Sequence, residues 1–268
     1  MEYVQGGNNK AAILEFRNEI NIDTKFADGR YQLALAYLKT GEVKQSFKQF
    51  ERAASLDPKN TDALLKSAEM YFLAKANKES RERVDQILAV APDLSSAYAL
   101  LANIELREQK PDKAQNAISR ALELDPLNAR YYLIQSAILS ARKDFDGAVK
   151  ANLKAIDLET DNIACHNNLV GLYLSWGKSE EAEKTLKNII STFPDRLASY
   201  IDLARFYLNT GKIEAAEQTI KGAINIQKEN ADLLVFLGNL YHRSNKIDLA
   251  EETYKQAIRK SENPEDIK

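Results

Sequence analysis

The stretch that decides the fold is residues 27–60, which read ADGRYQLALAYLKTGEVKQSFKQFERAASLDPKN. Each half carries apolar residues three and four positions apart, which is the spacing of an amphipathic helix. These residues are Leu33, Ala34, Tyr37 and Leu38 in the first half, and Phe47, Phe50, Ala53, Ala54 and Leu56 in the second. Gly41 suits a left-handed residue that ends the first helix, and Pro58 cannot continue the second. The stretch therefore predicts a helix, a tight turn and a second helix.

The same pattern restarts every 34 residues without insertion or deletion. Full repeats are predicted at 27–60, 61–94, 95–128, 129–162, 163–196, 197–230 and 231–264, with a part-repeat at 1–26 and a tail at 265–268. In the part-repeat, residues 3–7 match the end of a first helix, and residues 11–22 match a second helix. A period of this length is typical of stacked units that share one continuous core. We therefore expect one quasi-linear array, although 268 residues would allow two ordinary domains.

Equivalent positions of the repeats keep the same side-chain size. Two columns stay small: Ala34, Ala68, Ala102, Ser136, Val170, Ala204 and Gly238 in the first helix, and Ser46, Ser80, Ala114, Ala148, Ala182, Ala216 and Ala250 in the second. Two others are mostly large: Tyr37, Tyr71, Glu105, Leu139, Tyr173, Tyr207 and Tyr241, and Phe50, Val84, Ile118, Asn152, Leu186, Ile220 and Tyr254. Small residues in register allow two helix axes to approach closely, and large residues fill the space between them.

This arrangement resembles the tetratricopeptide repeat family through its small pair, mid-helix tyrosine, turn glycine and terminal proline. The matching glycines are Gly41, Gly177 and Gly211, and the matching prolines are Pro58, Pro92, Pro126 and Pro194. The resemblance covers essentially the whole chain and implies an all-α solenoid, a right-handed superhelix of antiparallel helix-turn-helix units. The chain departs from the pattern where Lys75, Gln109, Lys143 and Asn245 replace the turn glycine.

Charge and composition argue against several kinds of partner. The 37 basic and 39 acidic residues give a formal net charge of -2 and are mixed along the helices, so we expect no binding to nucleic acid. No apolar run reaches the roughly 18 residues that span a bilayer, and no charged-then-apolar leader precedes the repeats. We therefore expect no direct membrane insertion. The single cysteine, Cys165, excludes an internal disulfide framework.

Three sequence features suggest chemistry but are better explained by packing. Gly177, Lys178 and Ser179 lack the earlier glycine and the strand of a phosphate-binding loop, and they occupy an inter-helix turn. His166 and His242 are the only histidines and lie more than two repeats apart, which is unlike a metal site. Cys165 has no histidine in an orienting position, as a catalytic thiol requires. We therefore predict no catalytic residues, no cofactor and no metal.

The remaining candidate is a groove, because in arrays of this family the first helices line the concave wall. Its predicted apolar part comprises Leu35, Leu38, Leu65, Phe72, Leu73, Leu100, Asn103, Leu106, Arg107 and Ile134. Its predicted polar part comprises Asn167, Asn168, Arg205, Asn239, His242 and Arg243, with Asp202 and Asn209 beside them. Exposed apolar surface of several hundred square ångströms usually marks a binding site, and spaced anchors of this kind accept a helix or an extended peptide.

The sequence thus predicts a non-catalytic scaffold that binds a protein or peptide segment in its groove. One alternative is an accessory region of a larger enzyme or of a polysaccharide or protein export complex. Another is a self-assembling array, because the chain begins within a repeat and ends without an additional polar helix, whereas solenoids shield their terminal units with caps. The same ends lead us to expect a segment of a longer array.

Runs such as AAILEFRNEI and AISRALELDP also resemble bacterial arrays of envelope and exopolysaccharide-export systems, including the exosortase-associated (PEP-CTERM-type) repeat lipoproteins. This narrower resemblance favours the bacterial periplasm or cell envelope over the cytoplasm, with any signal or anchor outside the segment.

Overall fold

A computed structural model describes residues 9–227 and 230–261 of the chain. The described residues form fifteen α-helices and no strand. The helices are α1 (Asn9–Ile22), α2 (Ala27–Lys39), α3 (Val43–Leu56), α4 (Thr61–Leu73), α5 (Asn77–Val90), α6 (Ser95–Arg107), α7 (Pro111–Leu124), α8 (Ala129–Ala141), α9 (Phe145–Leu158), α10 (Ile163–Ser175), α11 (Ser179–Thr192), α12 (Leu197–Asn209), α13 (Ile213–Ile226), α14 (Ala231–Arg243) and α15 (Ile247–Ser261). The predicted all-α helix-turn-helix fold is confirmed.

The helices fall into two compact units, Met1–Glu159 and Thr160–Lys268, which are called unit 1 and unit 2. Within each unit, every described helix packs against the next one along the chain. The even-numbered helices are the first helices of the repeats, and the odd-numbered helices are the second helices. The predicted first-helix end at residues 3–7, the terminal proline Pro264 and the tail at 265–268 lie outside the described residues.

The small columns bring the two helices of a repeat together. All fourteen of their residues are buried. Three of the serines also solve a polar problem, because each donates its hydroxyl to the small residue on the opposite helix. Ser46 donates to the Ala34 carbonyl at 2.8 Å, Ser80 to that of Ala68 at 2.8 Å, and Ser136 to that of Ala148 at 2.9 Å. A serine is therefore accommodated where most repeats have alanine.

The first helices end in the left-handed conformation that Gly41 indicates. The φ angles are 80°, 78° and 76° at Gly41, Gly177 and Gly211, and 63°, 59°, 63° and 57° at Lys75, Gln109, Lys143 and Asn245. In the first turn, Gly41 N–H bonds to the Leu38 carbonyl at 3.2 Å, and Glu42 N–H bonds to the Tyr37 carbonyl at 2.8 Å. This pair of bonds satisfies two carbonyls at the helix end. Every inter-helix turn thus has one geometry, whether or not glycine is present.

Successive repeats meet through one recurring contact, between the residue at position 21 of a repeat and the residue at position 11 of the next. The Phe47 and Tyr71 rings meet edge to face with centroids 4.9 Å apart. One repeat later, Arg81 pairs with Glu105 at 2.7 Å. In unit 2 the Tyr207 hydroxyl donates to Glu183 at 2.9 Å. The position is kept while its chemistry changes from aromatic to ionic.

Candidate functional site on the first helices

In unit 1 the exposed surface of the first helices is less apolar than the list of predicted residues suggests. Leu38 and Leu73 are exposed, at 42% and 76% of their surface. Leu35, Leu65 and Leu106 are partly buried. Leu100 and Ile134 keep only 7% and 8% of their surface, because neighbouring helices pack over them in the core. Leu100 and Ile134 therefore act mainly as core residues, and Leu73 is the most accessible apolar side chain among the predicted residues of this unit.

Phe72 and Arg107, both predicted to face the groove, are engaged with each other. The Arg107 guanidinium lies over the Phe72 ring, 3.3 Å from its centroid, and the same side chain donates to the Phe72 carbonyl. Cation–π stacking of this kind is favourable and covers one face of the ring. The pair forms a flat, positively charged surface element and leaves Phe72 only partly available as an apolar anchor.

A shallow cavity of about 210 Å³ lies between the first helices α4, α6 and α8. Leu100 and Ile134 contribute apolar wall, and Asn103 contributes a polar group. Asn103 is already satisfied in part, since its amide donates to the Ala99 carbonyl at 3.2 Å. Glu69, on the same cavity, is ion-paired with Lys66 at 2.8 Å. Most polar groups of this cavity are thus engaged within the protein.

Unit 2 contains a larger and differently built cavity of about 340 Å³, formed by α10, α11 and α12. Its floor is apolar and consists of Val170, Leu186 and Phe206, all buried, with the half-exposed Leu174 at its edge. Its rim is polar and exposed, and it consists of Asn167, Asp202, Arg205 and Asn209. Among the described residues, no hydrogen bond or ion pair engages these four side chains. The cavity therefore combines an apolar floor with uncommitted polar groups.

The other polar residues predicted for unit 2 lie apart from this cavity. Asn168 is half-buried within α10. Asn239 accepts a hydrogen bond from the Tyr254 hydroxyl at 2.7 Å, which holds its side chain against the second helix of the same repeat. His242 and Arg243 are exposed at the last turn of α14. Only Asn167 and Arg205 of the predicted polar residues line the cavity.

The helix that carries most of the cavity rim, α12, is fixed to α11 by a partly buried carboxylate. Glu183 accepts hydrogen bonds from the Tyr207 hydroxyl at 2.9 Å, from Lys187 at 2.7 Å and from Lys212 at 2.7 Å. One repeat later, Glu217 makes the same three contacts with Tyr241, Lys221 and Lys246. The hydrogen bonds from Lys187 and Lys212 lower the pKa of Glu183 to about 2, and those from Lys221 and Lys246 lower the pKa of Glu217 to about 2.

These two carboxylates predict a loss of stability in acid. Both pKa values lie below the ordinary value of 4.5, so the unfolded chain takes up protons first as the pH falls. Their contribution is therefore complete above about pH 4.5 and disappears between about pH 4.5 and 2. We expect the Glu183→Gln, Glu217→Gln double variant to show a shallower decline of melting temperature over that interval than the parent chain. Glu180→Gln, an exposed change on the same helix as Glu183, is the control, and equal declines in all three proteins would contradict the prediction.

The structure also locates the three features that the sequence assigned to packing. His166 is buried, with Nε2 2.9 Å from the Thr160 carbonyl and its ring edge to face with Phe193. Cys165 is buried within α10, and Gly177 lies in an inter-helix turn. Among residues 9–227 and 230–261, no group of three His, Cys, Asp or Glu side chains could hold a metal ion. In the same ranges, no helix has the length and apolar character needed to cross a bilayer.

Comparison with known proteins agrees with the repeat pattern. Sequence profiles described as tetratricopeptide repeat match residues 26–104 with 180–229, residues 99–162 and residues 233–268. No curated protein matches the chain.

Among solved structures, a tetratricopeptide repeat protein from Parabacteroides merdae ATCC 43184 superposes with a TM-score of 0.68 at 14% identity, over 96% of this chain and 95% of that one. A thermophilic repeat protein from Thermus thermophilus gives 0.59 at 21% identity, over 68% and 99%. The Cut9–Hcn1 complex gives 0.64 at 12% identity, over 95% and 47%. At these identities the similarity establishes the fold alone.

Proposed function

The chain belongs to the tetratricopeptide repeat family, and from this premise we propose that it is a non-catalytic scaffold that binds a segment of another protein on its first helices. The fold is in general a protein-interaction module, because its stacked helix pairs present an extended surface. The binding segment is a peptide with at least one large apolar side chain, held by contacts that are spaced along the first helices.

The observation that carries the proposal is the cavity of unit 2. Its buried floor of Val170, Leu186 and Phe206 suits one inserted apolar side chain. Asn167 and Asn209 on its rim each offer both a donor and an acceptor, which is the chemistry that pairs with a peptide backbone. Arg205 and Asp202 add one charge of each sign. A few polar groups around an apolar floor are typical of ligand sites, and here none of the four is used by the described part of the fold.

Leu174 gives the sharpest test, because it borders the cavity and is 48% exposed. Peptides selected from a random display library against the folded chain would be measured by fluorescence anisotropy. We expect Leu174→Gln to weaken their binding by about tenfold to a hundredfold, since a bound apolar side chain would lose a contact worth about 1.5–3 kcal/mol.

The matched control is Leu153→Gln on the second helix α9, where leucine is 43% exposed. The two changes remove the same side chain from similarly exposed positions, so any general effect on folding or solubility is shared. We expect Leu153→Gln to leave the affinity within about twofold. Equal weakening by both variants, or binding that is indifferent to Leu174, would place the site elsewhere.

Arg205→Gln serves as a second probe of the same rim. If the selected peptides carry an acidic residue near the apolar anchor, this change should reduce their affinity and its dependence on salt. Peptides without such a residue should be unaffected. Retention of full affinity by acidic peptides would separate Arg205 from the proposed site.

A further inference from the structure

The second helix of the first complete repeat, α3, differs from the second helix of every other complete repeat in its outer charges. Its exposed residues Lys44, Lys48 and Arg52 follow one another at intervals of one helical turn, so that three cations form one ridge. The same columns read Lys78, Glu82 and Gln86; Asp112, Asn116 and Arg120; Asp146, Lys150 and Lys154; Glu180, Lys184 and Asn188; Glu214, Gln218 and Gly222; Asp248, Glu252 and Gln256. Only α3 has three cations and no acidic residue among them.

This arrangement is unfavourable for the helix itself. Like charges four residues apart repel each other on a helix surface. A cation at the first turn also opposes the positive end of the helix dipole, and five of the other six complete repeats have Asp or Glu in the column of Lys44. Local stability therefore does not explain the ridge, whereas binding of an anion would.

A fourth cation joins the ridge from the neighbouring first helix. Arg30 of α2 lines a cavity of about 310 Å³ together with Lys48 and Arg52. One of its guanidinium nitrogens, Nη1, donates to Gln49 at 3.0 Å, and Nη2 donates to the Thr24 carbonyl at 2.9 Å, so that the side chain is fixed in place. Its Nε is buried and has no hydrogen-bond partner among the described residues. In the other repeats the column of Arg30 holds Leu64, Tyr98, Tyr132, His166, Tyr200 and Leu234.

The one acidic residue that lines the cavity, Glu51, does not neutralise these cations. Its carboxylate accepts hydrogen bonds from Arg83 at 2.9 and 3.3 Å, from the Tyr71 hydroxyl at 2.9 Å and from the Ser67 hydroxyl. Among the described residues, Lys48 and Arg52 have no ion-pair partner. Burial and then the nearby charge of Arg52 lower the pKa of Arg30, which agrees with an excess of positive charge at this place.

We propose that Arg30, Lys48 and Arg52 bind a tetrahedral oxyanion of the phosphate type, either free or carried by a phosphorylated side chain. A guanidinium offers a planar fork of donors that matches two phosphate oxygens, and the lysine adds a mobile point charge. The site lies on different helices from the peptide cavity of unit 2 and does not depend on it. The near-neutral charge of the whole chain conceals it, because the excess is confined to one repeat.

The test is a titration of the chain with inorganic phosphate and, separately, with O-phosphoserine, each at constant ionic strength balanced with chloride. Binding would be followed through the side-chain N–H signals of arginine and the backbone amides of α3 by NMR. We expect saturable shifts in the parent chain and at least a tenfold higher Kd in the Lys48→Gln, Arg52→Gln variant. Tighter binding of phosphoserine than of phosphate would identify the phosphorylated side chain as the source, and equal binding would identify the free ion.

The matched control changes the same two columns in another repeat, Lys150→Gln with Lys154→Gln, where Tyr132 replaces Arg30. We expect this variant to bind phosphate like the parent. Without phosphate, the α3 variant should melt at or above the temperature of the parent, since it relieves repulsion. Equal losses in both variants, shifts that chloride reproduces, or equal binding of N-acetylglutamate would overturn the proposal. Displacement of bound phosphate by an RNA oligonucleotide with loss in both variants would likewise overturn it, in favour of diffuse polyanion binding.

Discussion

Replacement of Ile220 by alanine is expected to lower the free energy of unfolding by about 3 kcal/mol, within the range of about 2–5 kcal/mol found for deletion of buried aliphatic groups. Ile220 has 0% of its surface exposed and lies in the main core of unit 2, between α11, α12 and α14. Its column supplies the large residue of each second helix. Alanine would leave a cavity there, because the facing small residue Ala204 is itself fully buried and cannot fill the space.

Ile213→Ala is the matched comparison. Ile213 lies seven residues earlier on the same helix but is 37% exposed at its start. Both changes remove the same atoms and gain the same helix propensity, so the difference between them isolates burial. We expect Ile213→Ala to cost less than about 1 kcal/mol.

Native-state amide exchange is the appropriate measurement, because repeat arrays need not unfold in a single step. A loss of about 3 kcal/mol corresponds to exchange about two orders of magnitude faster in α12, α13 and α14. Exchange equally fast in the Ile213→Ala variant would show that Ile220 is not the packing residue that its burial indicates.

The period of the sequence allowed the fold to be predicted in detail. First helices begin at residues 27, 61, 95, 129, 163, 197 and 231, where the pattern restarts. The turn conformation also followed, because Gly41 indicated a left-handed residue and the register placed Lys75, Gln109, Lys143 and Asn245 in the same column. The family assignment made from these columns is confirmed. The narrower envelope resemblance stays a prediction.

The accessibility of the groove could not be predicted in the same way. Periodicity shows which face of a helix a residue occupies, but not whether a side chain from the next repeat covers it. Arg107 covers Phe72 from a position 35 residues away. Leu100 and Ile134 are covered by neighbouring helices for the same reason.

Contacts between repeats were also missed, although a comparison of columns would have found them. Glu183 and Glu217 lie 34 residues apart, and so do Tyr207 and Tyr241. Irregular columns were harder to interpret, because their partners are backbone atoms. Ser136 is an example, since its hydroxyl is satisfied by a carbonyl that no sequence pattern marks.

The four non-glycine turn residues predict a gain of stability on substitution by glycine. A left-handed residue with a Cβ costs about 1–2 kcal/mol, and glycine returns about 0.4–1 kcal/mol of this through the entropy of the unfolded chain. We therefore expect about 0.5–1 kcal/mol for each of Lys75→Gly, Gln109→Gly and Lys143→Gly. The three lie in unit 1, so a triple variant should gain about 2 kcal/mol there if the effects add. Asn245→Gly should gain least, since asparagine tolerates this conformation best.

The turns are favourable places for this test because the substituted side chains make no other contribution to the fold. Lys75, Gln109, Lys143 and Asn245 are exposed, and none forms a side-chain hydrogen bond or ion pair with the described residues. The reverse change is equally clean: a Cβ built on Gly41 meets no atom within 4 Å, so Gly41→Ala should cost about 1 kcal/mol through the backbone alone. Urea denaturation would measure both directions as shifts of the midpoint at an unchanged slope. Because the same two backbone hydrogen bonds close every turn, a triple variant no more stable than the parent would mean that the left-handed residue is not strained, and Gly41→Ala should then be neutral as well.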